Sequence, residues 1–150
     1  MSHITRINLV VKNLGALKLA AQSLGLEFAE GQLSYKWFGR FVGDSKLPAG
    51  VEIKDLGRCS HALRIPNNNT AYEVGVWQNQ DGTFSLRYDF WQGGYGLEAA
   101  IGKNALKLVQ AYAEAAATQQ IAEQGDDLFY REVLPDGRIV LKANIVEQSF

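Results

Sequence analysis

The stretch from Tyr72 to Phe90 alternates apolar and polar side chains on either side of a single reversal, and this constrains the fold most. Tyr72, Val74 and Val76 share one parity, and Phe84, Leu86, Tyr88 and Phe90 repeat it. Between them, Asn79-Gln80-Asp81-Gly82 supplies turn residues. A period of two interrupted by such a turn marks a hairpin with one buried face. The rest of the chain must cover that face.

The flanking segments supply further strands and two helices. From His3 to Lys12, the residues Thr5, Ile7, Leu9 and Val11 alternate with Arg6, Asn8, Val10 and Lys12, which predicts a strand. Asn13 suits a helix N-cap. Leu14, Leu17, Ala21 and Leu24 follow at helical spacing, and Gly25 suits the stop. A second strand is expected within Leu26 to Trp37, where Leu33, Tyr35 and Trp37 alternate. From Phe38 to Gly57 no period holds, which predicts a long loop with a short strand around Val51 to Lys54. Loops of this length in a compact domain are often functional. Cys59 to Ile65 alternates again, and Pro66 with three asparagines makes a turn.

Gly93-Gly94-Tyr95-Gly96 breaks the sheet pattern. One long helix is expected from Leu97 to Gln124, with Leu97, Ile101, Ala105, Leu108, Tyr112 and Ala116 as its apolar stripe and Gly125 as its end. Two last strands, Leu128 to Leu134 and Arg138 to Ile145, flank Pro135-Asp136-Gly137. The order β-α-β-loop-β-β-β-α-β-β predicts a single α+β domain over 1–150. Its sheet is largely antiparallel, with two helices packed on one face.

Composition narrows the function classes. At 150 residues, 47% hydrophobic and 21% charged, the chain is an ordinary globular domain large enough to build its own core. A net charge of −1 gives no bias toward nucleic acid or membrane. Cys59 is the only cysteine, so no intrachain disulfide forms. Met1 to Arg6 lacks the apolar core of a secretory signal, and no apolar run approaches the roughly 20 residues of a membrane span. A cytoplasmic protein is expected, stromal if it comes from a plastid.

If both helices cover the face bearing Tyr72, Val74, Phe84 and Leu86, the opposite face carries Glu73, Trp77, Arg87, Asp89 and Trp91. Arg64 joins that face from the neighbouring strand. A three-residue hairpin loop sets Glu73 opposite Arg87, and a five-residue loop sets it opposite Asp89. The attractive pair favours the first register. Arginine offers a planar fork to carboxylate or phosphate, and exposed tryptophan offers a stacking surface. Arg64, Trp77, Arg87, Asp89 and Trp91 are therefore the candidate ligand-binding residues. Against this stands the plainer reading of a solvated face, or of tryptophans packed beneath the 38–57 loop.

Cys59 and His61 are two apart, so in a strand they share a side. Two ligands do not make a structural zinc site, and neither a metal nor another cofactor is expected. A catalytic pair, with His61 as general base near Asp89 or Cys59, gives the alternative of a hydrolase. A packed Cys59 and a hydrogen-bonded, half-buried His61 is the structural reading, because their parity matches Leu63 and Ile65. The 93–96 loop lacks the features of a P-loop or a dinucleotide fingerprint. An aromatic sheet face also suits single-stranded nucleic acid, but the basic excess such proteins carry is missing.

Several blocks carry a family resemblance: Met1-Ser2-His3-Ile4, Asn8 to Leu24, Cys59 to Pro66, Tyr72 to Val76, Arg87 to Trp91, Leu106 to Ala117 and Leu134 to Leu141. They resemble the plastid and cyanobacterial hypothetical open reading frame thirty-five family, a domain of unknown function also found in other bacteria and in phages. The resemblance spans nearly the whole chain, while the segment from Gly39 to Gly57 departs from it. It implies no catalytic residues. It does imply an accessory role beside an ATPase of the AAA class or another protein partner. The expectation is a small cytosolic binding or accessory protein. It would hold an anionic or nucleotide-like ligand, or a partner protein, on the Arg/Trp face. An exposed sheet edge gives a homo-oligomer a route to form.

Overall fold

The computed structural model describes residues 3–41, 43, 46–123, 127–136 and 138–144. Five strands form one antiparallel sheet: β1 (Ile4–Val11), β2 (Glu27–Glu30), β3 (His61–Arg64), β4 (Val74–Gln78) and β5 (Phe84–Asp89). Their order is β1-β5-β4-β3-β2. The helices are α1 (Leu14–Ser23), α2 (Leu97–Ile101) and α3 (Leu106–Glu123). The architecture is the expected α+β one. A separate two-stranded sheet, β6 (Asp127–Val133) with β7 (Ile139–Asn144), follows α3. Gln124, Gly125, Gly137 and Ile145, which were expected to end or join these elements, lie outside the described residues.

The main core lies between the sheet and the helices. Val74, Val76, Leu86 and Tyr88 from the central hairpin meet Ala16, Leu17, Ala20 and Ala21 of α1 and Leu108 and Tyr112 of α3. The junction between β1 and α1 is closed by polar contacts. The Asn13 side chain accepts from Ala16 N at 3.1 Å, as an N-cap should. The Tyr112 hydroxyl accepts from the amides of Lys12 and Asn13 at 3.0 and 3.2 Å.

Several elements depart from expectation. The long helix is broken at Gly102, whose φ of 86° ends α2. The apolar stripe runs on across the break, since Leu97, Ile101, Ala105 and Leu108 are all buried, so periodicity alone does not reveal it. No strand forms near Val51. Ile53–Asp55 is a single 3-10 turn instead. Beyond β2, Leu33, Tyr35 and Trp37 do not share a face. Leu33 is exposed and Tyr35 buried, and only an isolated bridge ties Ser34 to Arg58.

After β5, Gln92, Gly93, Gly94 and Tyr95 all lie in the left-handed helical region. Two of the four are glycines, which bear this at little cost. Gln92 and Tyr95 do so against a penalty of roughly 1–2 kcal/mol each. Tyr72 N donates to Gly94 O at 2.8 Å, and the Tyr95 ring meets Tyr72 edge-on at 5.1 Å. Both contacts hold the left-handed turn against the start of the hairpin.

Candidate functional site

The second face of the sheet is not open. The described residues of 32–59 fold over it as a roof and bring their own apolar side chains. Tyr35, Val51, Leu56 and Cys59 are buried together with Ile4 and Ala62 of the sheet, with Trp37, Phe41 and Leu47 packed around them. Polar ties fasten the roof to β1 and β5. Arg6 of β1 donates to the carbonyl of Ala49, and Phe38 N donates to Asp89 Oδ2 at 3.1 Å.

Arg87 stands beneath this roof. Its residue exposure is only 4%, and its Nε and Nη1 have no hydrogen-bond partner. The guanidinium lies over the Trp77 ring at 4.3 Å from the centroid, a stacking worth about 2 kcal/mol when desolvated. Burial pulls the Arg87 pKa down from its usual value. Tyr35 lies against the neighbouring strand. A Cβ on Gly75 would sit 2.3 Å from its Cδ1, so the ring occupies the space a side chain would fill. Gly75 is the cross-strand partner of Arg87. The Tyr35 hydroxyl is also buried without a hydrogen bond. Burial pushes the phenol up to about 12, and the Gly57 backbone opposes this without reaching hydrogen-bond geometry.

Asp89 is fully buried but is committed to the backbone. Its Oδ1 accepts from His3 N at 2.9 Å and Trp91 N at 3.0 Å, and its Oδ2 from Phe38 N. It joins the start of β1, the roof and the turn after β5 in one knot. Trp91 sits in that turn with its ring edge-on to His3 at 5.2 Å. Arg64 is elsewhere. It forks onto Glu27 at 2.8 and 2.9 Å and lines a polar cleft of about 350 Å3 with Lys36, Asn68, Asn69 and Glu73. The charged groups of that cleft are already engaged. Lys36 Nζ donates to the Asn69 carbonyl, and Glu73 Oε1 accepts from Lys36 N and from Gln32 Nε2. The five residues expected to form one surface fall apart: Trp77 and Arg87 stack, Asp89 holds the backbone N–H of Trp91, and Arg64 lies away from both pairs.

The preferred hairpin register is corrected. Gln78 pairs with Phe84, leaving a five-residue connection, and Gly75 rather than Glu73 lies opposite Arg87. The repulsion expected of a Glu73–Asp89 pair does not arise, because Glu73 has left the ladder. Its N–H donates to Lys36 O at 3.0 Å.

Cys59 and His61 do not share a side. The bend at Ser60 lies between them. Cys59 packs under the roof, with its Sγ 3.1 Å from Gln32 O. His61 lies on the helix side between the rings of Phe28 and Phe84, and its Nδ1 accepts from Gly31 N at 2.9 Å. Asp89 belongs to the roofed face, so His61 meets neither expected catalytic partner. Burial pushes the Cys59 thiol up to about 11. Since the thiolate is the reactive form, Cys59 is expected to resist iodoacetamide at pH 8 in folded protein and to alkylate once urea unfolds the chain. Mass spectrometry of the two samples checks this. Equal labelling would mean the roof opens freely.

Among the described residues, no group of three or more His, Cys, Asp or Glu side chains could hold a metal ion, and no helix is long and apolar enough to cross a membrane. Neither a family model, nor a curated protein, nor a solved structure matches the chain.

Sequence reasoning missed Tyr35 and Arg6. A signal for the first was present. A glycine inside the strand run Val74-Gly75-Val76 marks a close approach by another group. Arg6 carried no such signal, since its neighbours follow only from the sheet order.

Proposed function

We propose that this chain is a small binding protein that takes an anionic group at Arg87, beneath the roof formed by residues 32–59. The observation that carries the reading is a buried guanidinium with two unpartnered nitrogens. A buried charge without a partner costs several kcal/mol, and an unmet buried donor about 1–3 kcal/mol. An anion accepting from Nε and Nη1 would recover both, through charge-assisted hydrogen bonds in a medium of low dielectric. The Tyr35 hydroxyl adds a further donor. The inward face of Trp77 is taken up by the guanidinium. A nucleotide would therefore be held by its phosphate and not by stacking its base there. The accessory role that the family resemblance implies agrees with a holding role.

Arg87→Met tests this. Removing an uncompensated buried cation is expected to leave stability within about 1 kcal/mol of wild type, or to raise it. The variant should also lose any rise in urea midpoint that added anions give the wild type. A loss of about 3 kcal/mol or more in the absence of anions would make Arg87 a structural element and end the reading.

A further inference from the structure

We infer that Arg6 is the second ligand of this site, and that the group taken is a doubly charged tetrahedral oxyanion: sulfate, phosphate or a phosphate monoester. The inference rests on the binding reading above and adds the charge and shape of the ligand.

The register between β1 and β5 places Arg6 directly opposite Arg87, between the pairs Ile4↔Asp89 and Val10↔Ser85. Ile4 packs under the roof, and Arg6, two residues on, points to the same side. Two like charges directly opposed on one face destabilise a sheet. Among the described residues neither arginine forms an ion pair. Asp89, a buried carboxylate on the roofed face, is spent on three backbone amides. Asp55 on the roof attracts Arg87 only from beyond ion-pair distance. The charge between sheet and roof is thus set for an anion bearing two charges.

Arg6 has donors to spare. One of its guanidinium nitrogens, Nη2, holds the Ala49 carbonyl, and arginine has five N–H groups in all. β1 is the edge strand of the sheet, and Arg6 is exposed whereas Arg87 is buried. An anion would therefore enter from the β1 edge, meet Arg6 first and settle against Arg87 and the Tyr35 hydroxyl. A tetrahedral oxyanion presents oxygens in several directions, as two converging guanidinium groups and a phenol require. A halide or a single carboxylate would leave one of the arginines unneutralised.

The test is calorimetric titration of the purified chain with sodium sulfate, sodium phosphate, methyl phosphate and sodium chloride at matched ionic strength, with the Arg87 Nε–H resonance followed by NMR. Sulfate and one of the two phosphates are expected to bind one per chain, at least about tenfold tighter than chloride. A preference for methyl phosphate assigns an ester and a preference for phosphate the free ion, and either supports the inference. Arg6→Gln, a change at an exposed position, is expected to weaken sulfate about tenfold or more while leaving chloride nearly unchanged. Comparing the two proteins also removes the general stabilisation that sulfate confers on folded chains. If chloride binds as tightly as sulfate, or Arg6→Gln weakens neither, the inference is overturned while binding at Arg87 stands. If no anion moves the Arg87 resonance, the inference and the binding reading fall together.

Discussion

A methyl group at Gly75 is expected to force the Tyr35 ring off the sheet. The added Cβ would lie 2.3, 2.6 and 2.9 Å from Cδ1, Cε1 and Cγ of that ring, and no side chain accepts such contacts without moving. Tyr35 cannot slide along the strand easily, because its own backbone N–H is held by Gly57 O at 2.9 Å. Overpacking of this kind costs about 1–3 kcal/mol. Here the displaced ring also carries part of the roof, so Gly75→Ala should lie at the upper end of that range by urea denaturation. Tyr35→Ala in the same chain should remove the clash, so the double variant should be more stable than the sum of the two single losses predicts. Strict additivity would show that the ring does not rest on Gly75.

Asp89→Ala is expected to be at least as damaging. It leaves the amides of His3, Phe38 and Trp91 without their acceptor in a fully buried place, and each buried donor left unmet costs about 1–3 kcal/mol. A total loss of about 3 kcal/mol or more follows, with the roof released at one end. Asp89→Asn separates the three contacts. Its remaining oxygen can still accept from His3 and Trp91, while the new NH2 faces the Phe38 amide, donor against donor. Hydrogen exchange should then quicken at Phe38 and stay slow at Trp91. Equal quickening at all three amides would show that the knot acts only as a whole.

What was legible in the sequence was local. Asn13 caps α1 because a short side chain before an apolar-periodic run has few other uses, and Leu86 and Tyr88 face the helices because strand parity leaves no choice. The failures share one cause, which is information carried by residues distant in the chain. Gly102 breaks the helix although the stripe continues through it, since Ile101 before the break and Ala105 after it are buried in the same core. The bend at Ser60 sends Cys59 and His61 to opposite faces, which spacing alone does not reveal. Trp77 and Arg87 were readable as neighbours since both belong to one hairpin. The roof over them, and Arg6 beside them, depend on which strand lies next to β5. Asp89 looked like a ligand because a carboxylate on that face has chemistry to offer. Three backbone amides from three segments claim it first.

The strand order has a consequence for the sequence of events in synthesis. β1 borders only β5, and Ile4 pairs with Asp89. As the chain emerges, β1 has no sheet partner until β5 is made: Val11 waits for Phe84, and Ile4 for Asp89. Contacts of such long range close slowly. During that interval Ile7 and Val11, buried in the finished core, lack the strand they pair beside, and unpaired apolar strands are prone to associate with other chains. A pause in translation before β5 would lengthen that exposure, and one after it would not.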